Sequence, residues 1–69
     1  MTQIEFKGRK KPRIRFLDYM FGNDVGDVVN VQMMTDGAIY YYDTFRRWCY
    51  LNKSEEGTAF EWVRKPEAS

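Results

Sequence analysis

Val28-Val29-Asn30-Val31-Gln32-Met33-Met34-Thr35-Asp36-Gly37-Ala38-Ile39-Tyr40-Tyr41-Tyr42 decides the fold. Val29, Val31 and Met33 recur at every second position, the period of a half-buried strand, and Ala38 to Tyr42 is rich in the types strands favour. Asp36-Gly37 between two such runs is the strongest short-range hairpin signal a sequence offers. The pattern predicts strands over 28–33 and 38–42 joined by a tight turn.

Outward from that hairpin the period stays at two. Arg13 to Tyr19 alternates as a first strand, and Met20 to Gly26, with Gly22, Asn23, Asp24 and Gly26, is a loop. Asp43-Thr44-Phe45-Arg46 turns the chain into a fourth strand, Arg47 to Leu51. Asn52 to Gly57 suits one helical or 3₁₀ turn, with Ser54 as its cap before Glu55 and Glu56. Thr58 to Val63 is a fifth strand, and no segment sustains a helical period. The sequence thus predicts a mostly β domain, a small five-stranded barrel with Val29, Val31, Ile39, Leu51 and Phe60 in its core. Closure would remove the exposed edges of a flat sheet. The barrel is expected over 13–63, behind a basic arm at 1–12 in which Ile4 and Phe6 suit a short extra strand. Residues 64–69 are expected to be a frayed tail.

The order of loops, long after strand one, tight between strands two to four, one helical turn before strand five, resembles the Src-homology-3-like barrel. More narrowly, the chain is similar to small barrels of this type encoded by bacteriophages and prophages. The matching features are Val25-Gly26-Asp27-Val28-Val29-Asn30-Val31, Asp36-Gly37, Trp48-Cys49-Tyr50-Leu51 and Phe60-Glu61-Trp62-Val63, and the resemblance spans roughly residues 13–63. It implies a phage accessory protein acting on a host protein, in the cytoplasm of an infected or lysogenic bacterium. It transfers no functional residue. The proline-peptide groove of signalling relatives needs an acidic first loop and a Trp-Trp pair, which this sequence lacks.

Composition narrows the chemistry. The chain has 69 residues, one cysteine and no histidine. Cys49 alone forms no intrachain disulfide, and one thiolate does not make a zinc site of about four ligands. The commonest general base at neutral pH is missing, and nothing activates Cys49. Gly22 to Gly26 lacks the Gly-Lys-Ser/Thr ending of a phosphate loop. Asp24 and Asp27 read as a solvated loop. The expectation is a protein that is not an enzyme, with no catalytic residue, metal or cofactor. The charged start from Met1 to Lys7 does not read as a signal peptide, and no apolar run approaches the roughly 18 residues of a membrane span. With a lone cysteine, this reads as a cytoplasmic chain with no membrane partner.

Two features carry the functional reading. The first is charge. Residues 1–17 hold six basic side chains against one acid, whereas 18–69 hold five against nine. Arg9, Lys10, Lys11, Arg13 and Arg15 are candidate contacts for phosphate or an acidic partner. The bland alternative is that they solubilise the domain or pair with its own acidic body. The second is aromatic: residues of this class make up 17% of the chain. If Ile39, Tyr41, Cys49 and Leu51 point inward, Tyr40, Tyr42, Trp48 and Tyr50 line the outer face of one hairpin, beside Arg46 and Arg47. Those six are the candidate partner-binding residues, of the types favoured at interface hot spots. The bland alternative is that Ile4 and Phe6 fold over the patch. A host protein is the first expected partner. Single-stranded DNA or RNA, stacked on the aromatics, is the second, and a homodimer that hides the patch is the third.

Overall fold

The computed structural model describes residues 3–8, 10–20 and 22–66. Six strands form one antiparallel sheet: β1 (Ile4–Glu5), β2 (Arg13–Phe16), β3 (Val28–Met34), β4 (Ala38–Tyr42), β5 (Trp48–Asn52) and β6 (Phe60–Arg64). The spatial order is β5-β4-β3-β2-β6, with β1 beside β3. β3 is the hinge of the arrangement. Its first half pairs with β2 (Ile14 opposite Val29), its second half with β4 (Met34 opposite Ile39) and with β1 (Ile4 opposite Met34). The sheet curls around its apolar side to a radius of gyration of 11.2 Å, close to the roughly 11 Å of a folded chain this long.

The core is the inward set of these strands: Ile14, Phe16, Val31, Ile39, Tyr41, Leu51, Ala59 and Phe60 are buried. Four of the five residues expected there are buried, and Val29 is half-buried against them. Cys49 packs on the core half-buried, and Phe6, Met34 and Trp62 join it from the margins.

The short extra strand expected in the arm forms at Ile4–Glu5 and adds a sixth strand beside the five of 13–63. Three expectations are corrected. The sheet is not closed: β5 and β6 stand at opposite ends of the strand order. The hydrophobic period of β3 breaks at Gln32. Val31 faces Tyr41 but Met33 faces Tyr40, so one extra residue bulges between them. A bulge shifts parity, so Met33 joins the outward set and Met34 takes the inward place expected of Met33. Lastly, the 3₁₀ turn spans Lys53–Glu55 and is capped at Asn52, not Ser54. The Glu55 carboxylate accepts the Asn52 N–H at 3.1 Å. Asn52 ends β5 directly, which places the cap two residues earlier than composition suggested.

The Asp36-Gly37 hairpin forms where expected, closed by the Thr35 N–H donating to the Ala38 carbonyl at 2.9 Å. The strand expected over Arg13–Tyr19 is β2 and stops at Phe16, three residues earlier than its alternation suggests, with the Leu17 N–H adding one more bond on the β6 side, to the Ala59 carbonyl.

Candidate aromatic contact face

The β4–β5 hairpin builds the face by register. Tyr42 lies opposite Trp48 and Tyr40 opposite Tyr50, both pairs outward, while Tyr41 with Cys49 and Ile39 with Leu51 point to the core. The four outward rings touch in sequence. Tyr42 meets Trp48 edge-on at 4.9 Å, Tyr40 stacks on Trp48 at 5.7 Å, and Tyr40 lies 5.9 Å from Tyr50. Tyr40 is half-buried among them, whereas Tyr42, Trp48 and Tyr50 are 49%, 49% and 61% exposed. Packing rings on one another offsets part of the cost of leaving them wet, but about half or more of Tyr42, Trp48 and Tyr50 still faces solvent.

The N-terminal segment borders this face and does not cover it. Glu5, Phe6, Lys7, Gly8 and Lys11 form one wall of a shallow groove of about 480 Å³, Gln32 and Met33 its floor, Tyr42 and Trp48 the other wall. Phe6 turns toward the core, held by its N–H donating to the Gln32 carbonyl at 2.9 Å. Lys7 of the basic arm therefore reaches the aromatic site, although it was not among the contact residues expected from the sequence. So does Met33, which only the bulge brings there.

The basic residues do not act as one patch. Lys11 lines the groove and Lys10 is exposed. Arg13 donates from Nε to Asn30 at 3.1 Å, and Arg15 pairs with Glu61 at 2.7 Å, so part of the arm is held by the body. Arg9 lies outside the described residues.

The turn joining β4 to β5 is organised by Asp43. Its carboxylate is buried and accepts the backbone N–H groups of Phe45 and Arg47, both at 2.8 Å, and the Arg47 guanidinium at 2.9–3.0 Å. The Cys49 thiol lies 3.7 Å from the same carboxylate. Burial alone would push the Asp43 carboxyl up, but the Arg47 N–H and guanidinium, with the Phe45 N–H, outweigh it and hold it below the usual range. Burial and then the Asp43 charge push the Cys49 thiol up, which keeps it in the unreactive form. Arg47 is thus tied into the turn, and its guanidinium also sits 5.3 Å above the Phe45 ring. Arg46, exposed beside the aromatic face, takes a left-handed backbone (φ 63°). For an arginine this conformation costs about 1–2 kcal/mol.

These groups set two limits on stability. The depressed Asp43 carboxyl stabilises the fold above the ordinary carboxyl value near 3.8, and that contribution is lost as pH falls through the lower folded value. Burial, followed by the charges of Cys49, Asp43 and Glu55, pushes Tyr41 up to about 12. Its neutral form is favoured in the fold, so stability is complete below pH 10 and drains away between about 10 and 12. In urea titrations across pH, Tyr41→Phe is expected to flatten the alkaline decline. Asp43→Asn should be less stable at neutral pH and should lose the acid-side slope. Unchanged profiles in both variants would refute these assignments.

Comparison of the chain with known protein families, characterised proteins and solved structures finds no match. Among the described residues no group of three or more acidic or cysteine side chains is placed to hold a metal ion, and no helix is long and apolar enough to cross a membrane.

Proposed function

We propose that this chain is a non-catalytic binding domain that meets a protein partner through the outer face of its β4–β5 hairpin. The observation that carries the reading is the contiguous cluster of Tyr40, Tyr42, Trp48 and Tyr50 on one sheet face, three of the rings about half exposed or more. Aromatics packed this way are preorganised, with little rotamer freedom left to lose on binding. Arg46 stands at the rim, where a cation guides an acidic partner. Its strained backbone fits a position kept for contact at some cost in stability.

The finer fold reading belongs with this proposal. A Src-homology-3-like barrel, left open between β5 and β6, accounts for the strand order, for β3 shared between two half-sheets and for the 3₁₀ turn before the last strand. On that reading the phage-type resemblance makes the domain a cytoplasmic accessory factor that occludes the working surface of a host protein.

A nucleic-acid reading has one observation in its favour: Lys7 and Lys11 line the groove walled by Tyr42 and Trp48. Stacking plus phosphate contacts needs that combination.

Capture from bacterial lysate, with and without nuclease, compares wild type with Trp48→Ala, Tyr42→Ala and the control Trp62→Ala. The first two are expected to weaken a nuclease-resistant protein complex by about thirtyfold, or 2 kcal/mol, and the control to leave it intact. Normal capture by Trp48→Ala and Tyr42→Ala would end the face reading. A nucleic-acid ligand would instead show steep salt dependence, the log–log slope falling by about 0.7–0.9 for each contact removed at Lys7 or Lys11.

A further inference from the structure

The aromatic face ends at an open strand. β5 pairs with β4 on one side and, among the described residues, with no strand on the other. The antiparallel ladder fixes which backbone groups point to the open side. The Asp43 N–H donates to the Arg47 carbonyl and the Lys53 N–H to the Gly37 carbonyl, so the bonded pairs fall on 43/47, 41/49, 39/51 and 37/53. Trp48, Tyr50 and Asn52 are therefore the residues whose N–H and C=O face away from β4. The Asn52 N–H is taken by Glu55. Among the described residues, Trp48 and Tyr50 keep both N–H and C=O on the open side, four groups at strand spacing, directly beside their own exposed rings.

Edge strands are ordinarily blunted by lysine, proline, a bulge or an inward charge. The run Trp48-Cys49-Tyr50-Leu51-Asn52 carries none of these. β6, at the other end of the sheet, carries Glu61, paired with Arg15, and Arg64. The charges around the β5 edge favour one kind of occupant. Arg46 precedes it and Lys53 follows it, Lys7 and Lys11 line the groove beside Trp48 with Glu5, Arg47 is neutralised by Asp43, and Glu55 stands at the Asn52 end. A second copy offers the Arg46 and Lys53 ends of β5 no acid of its own β5 to pair with: antiparallel two-fold pairing centred on Tyr50 sets the Arg46-Arg47 end of one copy beside Lys53 of the other.

We propose that β5 is a docking edge for strand addition: an extended segment of the protein partner, with alternating Val, Ile or Thr flanked by Asp or Glu, pairs with Trp48 and Tyr50 and continues the sheet. Backbone bonds would hold the strand, the aromatic rings would grip its outward side chains, and the flanking cations would set its ends. This rests on the aromatic-face reading and adds to it the partner's conformation and charge.

The experiment pans a display library of random 12-residue peptides on the intact domain. The strongest peptide is then tested against a chain N-methylated at the Tyr50 nitrogen, assembled by ligation at Cys49. N-methylation deletes one edge donor and leaves every side chain of the face in place. Acid-flanked, β-branched peptides should be enriched, should slow amide exchange at Trp48 and Tyr50, and should bind the N-methylated chain about tenfold more weakly. If that chain does not fold, N-methylating alternate residues of the peptide gives the same reading from the other side. Enrichment of any other pattern, unprotected Trp48 and Tyr50 amides, a dimer of the free chain with those amides protected, or displacement of the peptide by a twelve-nucleotide oligothymidine would overturn the proposal. If the N-methylated chain binds normally while Trp48→Ala does not, strand addition is wrong and the aromatic face stands. If Trp48→Ala also binds normally, the face itself is wrong.

Discussion

Gly22→Ala is expected to lower the unfolding free energy by about 3 kcal/mol, from two costs that a control separates. Gly22 has φ +94°, a conformation that L side chains rarely adopt. It also sits against the Asp43 network: a Cβ there would lie 2.5 Å from Asp43 Oδ2 and 3.2 Å from the Arg47 guanidinium. Those atoms are not the loose ends of flexible chains. The carboxylate already accepts the Phe45 and Arg47 N–H groups, so moving it unpicks the turn that joins β4 to β5. Gly26 has nearly the same backbone, φ +92°, with nothing within 4 Å of its Cβ position. Gly26→Ala should therefore show the backbone cost alone, about 1 kcal/mol. Urea unfolding followed by tryptophan fluorescence measures both. Equal losses would mean that the contact between the long loop and Asp43 contributes nothing. A chain of this length has only about 3–10 kcal/mol of stability to lose, so Gly22→Ala should already populate unfolded protein at growth temperature.

Phe60→Ala should do still more damage, about 3–5 kcal/mol, and its contrast with Trp48→Ala tests the division of the molecule into core and face. Phe60 is completely buried, lies opposite Phe16 in the β2–β6 ladder and meets Trp62 edge-on at 5.8 Å. The ring leaves a void that the surrounding strands cannot collapse into without losing their register. Trp48, of larger size but 49% exposed, loses only its contacts with Tyr40 and Tyr42, worth about 1 kcal/mol or less each. Circular dichroism melts should show Phe60→Ala largely unfolded and Trp48→Ala cooperative. If Trp48→Ala melts as early as Phe60→Ala, the outer rings are core and the contact face disappears with them.

The parts of the fold that were legible in the sequence depend on neighbours in the chain. Asp36-Gly37, the alternation of Ala38–Tyr42 and the inward residues of β5 follow from local periodicity. The division of the hairpin rings into inner and outer sets follows from the same rule. What was not legible depends on residues far apart. Nothing local marks Gln32 as a bulge, because the extra residue is accommodated by what β4 offers opposite it. Lys7 reaches the groove only because Ile4–Glu5 docks on β3. Asp43 reads as an ordinary turn aspartate, and no sequence pattern announces that Gly22, 21 positions earlier, will press against its carboxylate. The open edge of β5 was hidden for a different reason. Five strands of suitable length suggest closure, but closure is set by curvature and shear, which composition does not encode.

The pairing of β2 with β6 has a consequence for synthesis. Arg15 and Glu61 meet across 46 positions of sequence, whereas the hairpins of β3, β4 and β5 close between near neighbours. Closing the local hairpins costs less chain entropy than bringing β2 to β6, so the hairpins are favoured to form first. Ile14 and Phe16 wait for β6, and above all for Phe60 and Trp62, before they have a roof. The nascent protein thus presents its stickiest surface before it has a stable core, and chain termination shortly before Phe60 would release a product with the adhesive half assembled and nothing to hold it folded.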